Sequence, residues 1–154
     1  MPETRARRVI RAPRPIVYRA LIDADQIAKW KFPDGMSIRI HAFDGREGGK
    51  FRISLTYAAP DARGKSSSRT DTYRGSYVRL VPDSLVVEVD AFETADPAFQ
   101  GEMTITLSLS DAPEGGTLLE AVHEGLPKGI SPADNETGWR MALGKLARLA
   151  EAAA

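Results

Sequence analysis

Hydrophobic residues recur along this chain at two spacings: every second residue through its middle, and every third or fourth near both ends. Met36, Ile38 and Ile40 alternate with Ser37, Arg39 and His41, and Phe51, Ile53, Leu55 and Tyr57 repeat the same period, as strands with one buried face do. Asp44-Gly45 and Gly48-Gly49 lie between these runs and predict a hairpin. Further strands are predicted over 70–81, 85–92, 101–109 and 117–124, separated by Pro82-Asp83, Ala95-Asp96-Pro97 and the stretch from Pro113 to Gly116. A basic edge strand over 4–11 opens the chain, and Pro13 and Pro15 end it. The loop over 58–69, with Pro60, Gly64 and three consecutive serines, is predicted to be the most mobile.

Helical spacing marks two places. Val17, Ala20, Leu21, Ala24, Ile27 and Ala28 share a face, interrupted at Asp23-Ala24-Asp25, so two short helices are predicted within 16–28, the second capped by Asp23 or Asp25. Over 134–153, Trp139, Ala142, Leu143, Leu146, Leu149 and Ala150 form one apolar stripe, with Arg140, Lys145, Arg148 and Glu151 outside it. Ser131-Pro132 supplies its cap and first turn. Gly138 and Gly144 are poor helix formers, which predicts close approach of a backbone or a ligand there. Short turns between consecutive strands require antiparallel pairing. The fold class is therefore α+β: an antiparallel sheet against one long C-terminal helix, with two short helices after the first strand.

The chain has 154 residues, 42% of them hydrophobic, which suits a single domain with a substantial core. Lys+Arg and Asp+Glu both total 21, and this balance argues against nucleic acid or an anionic membrane as the main partner. The N-terminal arginines lack interleaved aromatics and read as a solvated strand edge. With no cysteine there is no disulfide framework, thiolate nucleophile or cysteine-type metal site. The start carries no apolar leader and no run is long enough to span a membrane, so a cytoplasmic location is expected.

Candidate chemistry is sparse. Trp30, Phe32, Tyr57, Tyr73, Phe92 and Trp139, together with Met103, His123 and Leu143, form the candidate ligand-contacting set, because aromatic walls offer apolar area with a few directed polar groups. Simple core packing is the alternative for each. His123 falls on the inward face of the last strand and could serve as an acid–base group or a ligand anchor, whereas His41 falls outward. The two histidines lack metal-ligand spacing, and no metal or cofactor is expected. Glu88 and Asp90 lie opposite Val87 and Val89 on one strand, and a sheet with one wet face places the acids in solvent. The inverse register would bury Glu88 with a raised pKa. The run GREGGKF lacks both the spacing and the hydroxyl residue of a phosphate loop, and no serine lies in Gly-x-Ser-x-Gly. No catalytic residue is assigned.

Several pieces, in order, carry a family resemblance: Ala12-Pro13 before Val17-Tyr18-Arg19-Ala20-Leu21, Trp30, FDGREGGKFRI at 43–53, YRGSYVRLVP at 73–82, GGTLLEAVHEGLP at 115–127, and Gly138-Trp139 with Leu143 and Leu146. The chain resembles the family named after the activator of Hsp90 ATPase, in the superfamily of START domains, polyketide cyclases and the birch-pollen allergen. The resemblance implies the helix-grip fold, a curved sheet of six to seven strands around the terminal helix. It also implies a cavity between them that takes a small apolar or aromatic molecule. Polyketide-cyclase-like chemistry through His123 or Glu88 is one alternative, and a co-chaperone-like interaction module is another. Hsp90 activation is expected to carry over only weakly, since a first strand beginning near residue 5 leaves no room for the co-chaperone's separate N-terminal domain. A sheet edge offers a route to a homodimer. A deep closed cavity without inward ionisable groups would favour binding, a cavity with paired polar groups would favour chemistry, and a filled core with an exposed apolar patch would favour a partner.

Overall fold

The computed structural model describes residues 3–59, 64–66 and 69–154. Part of the 58–69 loop predicted to be mobile lies outside these residues. Among them, β1 (Glu3–Ile10) is followed by α1 (Arg14–Ile22) and α2 (Ala24–Trp30), then by β2 (Met36–Phe43), β3 (Lys50–Tyr57), β4 (Thr70–Val81), β5 (Leu85–Phe92), β6 (Met103–Asp111) and β7 (Thr117–Glu124), and finally by α3 (Pro132–Ala153). A single 3-10 turn, Pro97–Phe99, lies between β5 and β6.

The strands form one antiparallel sheet in the order β1-β7-β6-β5-β4-β3-β2. From β2 to β7 each strand pairs with the next in the chain, but β1 and β2 occupy opposite edges. The chain crosses between those edges through α1 and α2, which pack against α3 and so lie over the same face of the sheet. Register shifts in β2 between Ile40 and Ala42, and in β4 between Tyr77 and Arg79, insert an extra residue on one strand. Such bulges bend and twist a sheet, here into a cup. The result is the helix-grip fold that the family resemblance implies.

The inward positions follow the period of two. Thr4, Ala6 and Ile10 on β1, Leu119, Ala121 and His123 on β7, and Met103, Ile105 and Leu107 on β6 are all buried. At one end of the cup the space is filled. The Trp30 indole N–H donates to the Ala20 carbonyl at 2.8 Å, and the Phe51 and Tyr77 ring centroids are 5.1 Å apart. Burying side chains of this size stabilises by roughly 1.5–3 kcal/mol each.

Helix α3 begins as its sequence requires. The Ser131 hydroxyl accepts the Asp134 N–H at 3.3 Å and Pro132 occupies the first turn. Its stripe of Ala142, Leu143, Leu146 and Ala150 is buried against the sheet and the short helices. Three local expectations differ. Strand β6 starts at Met103 rather than residue 101 because Gly101 sits at φ +118°, a turn conformation outside strand geometry. Asp23 stands at the N-cap of α2 without bonding a helix N–H; its carboxylate instead accepts from the Gln26 side chain at 3.2 Å. Gly144 meets only the ends of the Arg8 and Arg148 side chains, at 3.7 Å, so no close backbone approach explains it.

Candidate functional site

The other end of the cup is open inside. A cavity of about 240 Å³ lies between the ends of β3 to β7, the link from α2 to β2, and the first half of α3. Seven of the nine candidate residues line it: Phe32, Tyr57, Tyr73, Phe92, Met103, His123 and Trp139. Six arrive on inward strand positions or on the α3 stripe, and Phe32 comes from the link after α2. Trp30 and Leu143 do not reach the cavity; they are fully buried in the filled end of the core. The helical stripe places Leu143 one turn further from the mouth than Trp139, which explains why one contacts the cavity and the other does not. Gly138 borders the cavity, with only Pro33 near the position its Cβ would take.

His123 is held on both sides. Its Nδ1 accepts the Trp139 indole N–H at 3.0 Å, which places the remaining proton on Nε2, 3.1 Å from the Met103 sulfur. Burial is the main cause that pulls its pKa from 6.5 to about 4; the ammonium of Lys31 lowers it too, against an opposing pull from Glu88. The ring is therefore neutral at pH 7 and has no nitrogen free for proton transfer. His41 does lie on the outer face, bonded to Ser54 Oγ at 2.8 Å.

Glu88 and Asp90 face inward, against the expectation of solvent exposure. Glu88 is fully buried, Asp90 is 3% exposed, and Val87 and Val89 occupy the outer face. The wet-face argument fails because the charge is offset from a distant part of the chain: the Lys31 ammonium is 2.5 Å from Glu88 Oε1. Lys31 is itself buried, between Trp30 and Phe32 in sequence, with its ammonium 5.6 Å from the Phe51 ring centroid. One lysine cannot neutralise two carboxylates. Glu88 Oε2 and Asp90 Oδ1 have no hydrogen-bond donor among the described residues. Burial, and then the adjacent Glu88 charge, push the Asp90 pKa well above the usual carboxylate range despite the opposing pull of Lys31. A proton held by Asp90 removes the conflict, leaving one charge of each sign and one neutral acid.

Asp90 has its place because residue 75 is glycine. A Cβ there would collide with Asp90 Oδ1 and the Val89 carbonyl. Gly75 opposes Asp90 across β4 and β5, and an isolated glycine inside a strand was the available sequence signal for such an approach. At the mouth a second pair forms. Lys65 Nζ donates to Asp71 Oδ2 at 2.8 Å, and the Lys65 backbone N–H donates to Asp71 Oδ1 at 2.6 Å. The same ammonium is 5.8 Å from the Tyr57 ring centroid and 5.6 Å from that of Phe92. Lys31, Lys65, Asp71 and Asp90 all line the cavity without having been among the candidates. Among the described residues no group of three or more His, Cys, Asp or Glu is placed to hold a metal ion. No helix among them is long and apolar enough to cross a membrane.

A seven-strand sheet gripping a terminal helix over an aromatic-walled cavity defines the helix-grip class. The family described as Activator of Hsp90 ATPase homolog 1-like protein matches residues 11–151, and the chain belongs to that family. A protein of solved structure from Chromobacterium violaceum is 32% identical, covers 97% of this chain and 96% of its own, and superposes with a TM-score of 0.86. A protein from Rhodobacter sphaeroides, 20% identical over 99% of this chain and 93% of its own with a TM-score of 0.79, shares the fold. So does the AHSA1-like protein from Aeromonas hydrophila, 19% identical over 99% and 94% with a TM-score of 0.70. Among curated proteins no relative matches the chain.

Proposed function

We propose that this protein binds a small hydrophobic or aromatic molecule in the cavity between its sheet and C-terminal helix, in the cytoplasm. The observation that carries the reading is that the aromatic-walled end of the cup stays open while the opposite end is packed solid. Empty apolar space in a core costs stability in proportion to its volume, so an opening of this size is better explained by an occupant than by neglect.

A second reading, acid–base chemistry in the same cavity, is the one that inward paired groups were expected to favour, and the carboxyls of Glu88 and Asp90 supply such a pair. It runs through Asp90 rather than His123, whose two nitrogens are engaged. The interaction-module reading has less behind it: the exposed large hydrophobics among the described residues are Val9, Val78 and Met141, one each on β1, β4 and α3.

Native mass spectrometry of freshly purified protein, with naphthalene uptake measured beside it, tests binding. Wild-type protein is expected to retain a small molecule or to take up naphthalene. Ala142→Phe, which adds a ring at a buried cavity-lining position, is expected to reduce either several-fold. A wild-type protein that emerges empty and takes up no naphthalene would overturn the reading.

A further inference from the structure

The cavity is not uniformly apolar, and its polar end has a defined hydrogen-bonding character. Resting on the binding reading above, we propose that the Lys31–Glu88–Asp90 cluster anchors the ligand, and that it selects an aromatic molecule bearing one neutral hydroxyl, which hydrogen-bonds Asp90.

Asp90 lines the cavity, is 3% exposed, and its Oδ1 has no hydrogen-bond partner among the described residues. Polar groups this deeply buried are almost always satisfied, and one that borders open space is positioned for something that enters it. Gly75 keeps the position clear, since any side chain there would displace the carboxyl. The groups around Asp90 decide what enters. On its own strand Glu88 is engaged by Lys31, which comes from the end of α2. From β4 come Tyr73 and Tyr77, both phenols pushed up mainly by burial and then by these carboxyls, and so neutral. From β7 comes His123, also neutral. At the mouth Lys65 is held by Asp71, and α3 contributes the exposed Asp134.

With Asp90 protonated, the inner cluster is one cation, one anion and one neutral acid. An anionic headgroup would meet two carboxyls. A cationic one would lose its hydration beside an ammonium that already occupies Glu88. A hydroxyl adds no charge, accepts from the Asp90 O–H and donates to a free carboxyl oxygen, so it completes the cluster in either orientation.

The test compares naphthalene, 2-naphthol and 2-naphthylmethylamine by fluorescence titration at pH 7. Wild-type protein is expected to hold 2-naphthol about tenfold more tightly than naphthalene, the gain of one well-made buried hydrogen bond. Asp90→Asn, which keeps a neutral donor and acceptor in the same shape, should preserve most of that preference. Asp90→Leu should abolish it while taking up naphthalene at least as well as wild type, which also reports that the cavity is intact. Equal affinity for naphthol and naphthalene in wild type, preference for the amine, or a preference that survives Asp90→Leu overturns the proposal and leaves the cavity reading standing. No uptake of any of the three overturns both.

Discussion

Two lysine–carboxylate pairs bound the same cavity, and they are built differently. At the floor, the side chains of Lys31 and Glu88 are 8% and 0% exposed; at the mouth, those of Lys65 and Asp71 are 20% and 6% exposed. The mouth pair is balanced, one charge against one, with the backbone N–H of Lys65 taking the second oxygen of Asp71. The floor pair carries an extra carboxyl that the protein leaves without a donor. Buried ion pairs add little net stability when well made, and they become costly when one partner is removed. A surplus acid at the floor is thus a standing cost to stability.

The largest expected effect comes from unbalancing the floor. Lys31→Met leaves Glu88 and Asp90 buried without a cation, and should destabilise the fold by about 3–5 kcal/mol at pH 7 in urea unfolding. Glu88→Gln in the same chain should return most of that loss, because the remaining groups are then neutral with Asp90 protonated. A Lys31→Met variant less than about 1 kcal/mol below wild type would mean the floor cluster is wetter than its burial implies.

The pH response of the wild type separates two groups that titrate in opposite senses. Asp90 has a raised pKa, so its contribution is fully present below the ordinary carboxylate range and is lost as the pH climbs through its native value. His123 has a lowered pKa, so its contribution is present above 6.5 and is lost as the pH falls towards about 4. That span corresponds to on the order of 3 kcal/mol. Between about 4 and 6.5 the two slopes oppose each other, so His123→Gln should leave a curve that falls as the pH rises, whereas Asp90→Asn should steepen the acid limb and raise stability relative to wild type as the pH increases. An acid limb unchanged in His123→Gln would show that the imidazole is solvated in the native state.

The contrast between the pairs also marks what the sequence could reveal. Element order, the α3 stripe and the inward alternation of Phe51, Ile53, Leu55 and Tyr57 were legible because each depends on neighbours a few residues away. The face of Glu88 and Asp90 was not. LVVEVDAF alternates equally well in either register, and the deciding contact, Lys31 with Glu88, spans 57 residues. The flanking aromatics Trp30 and Phe32 drew notice to that stretch, but the lysine between them was the residue that settled the register. Gly75 was the missed clue. Its partner Asp90 is 15 positions on, and only the hairpin register brings them together. Trp30 and Leu143 were assigned to the right layer but the wrong end, since periodicity fixes the face a residue takes and not its depth along the cup.

The smallest effect is expected at the mouth, and it completes the comparison. Lys65→Met removes the ammonium but keeps an unbranched chain able to lie over Tyr57 and Phe92. Asp71 keeps its bond from the backbone of residue 65 and gains access to water, so the loss should be about 1 kcal/mol at low salt and smaller at 1 M salt. Burial works against the charge on Lys65, but the bond to Asp71 and its field outweigh it and raise the pKa. The stabilisation is therefore present through neutral pH and disappears as the pH rises past the ordinary lysine range. If Lys65→Met instead costs as much as Lys31→Met and shows no salt dependence, the mouth is sealed in solution and the two pairs are equivalent. A loss confined to low salt keeps the asymmetry, with an anchoring floor that excludes water and an entrance that water reaches.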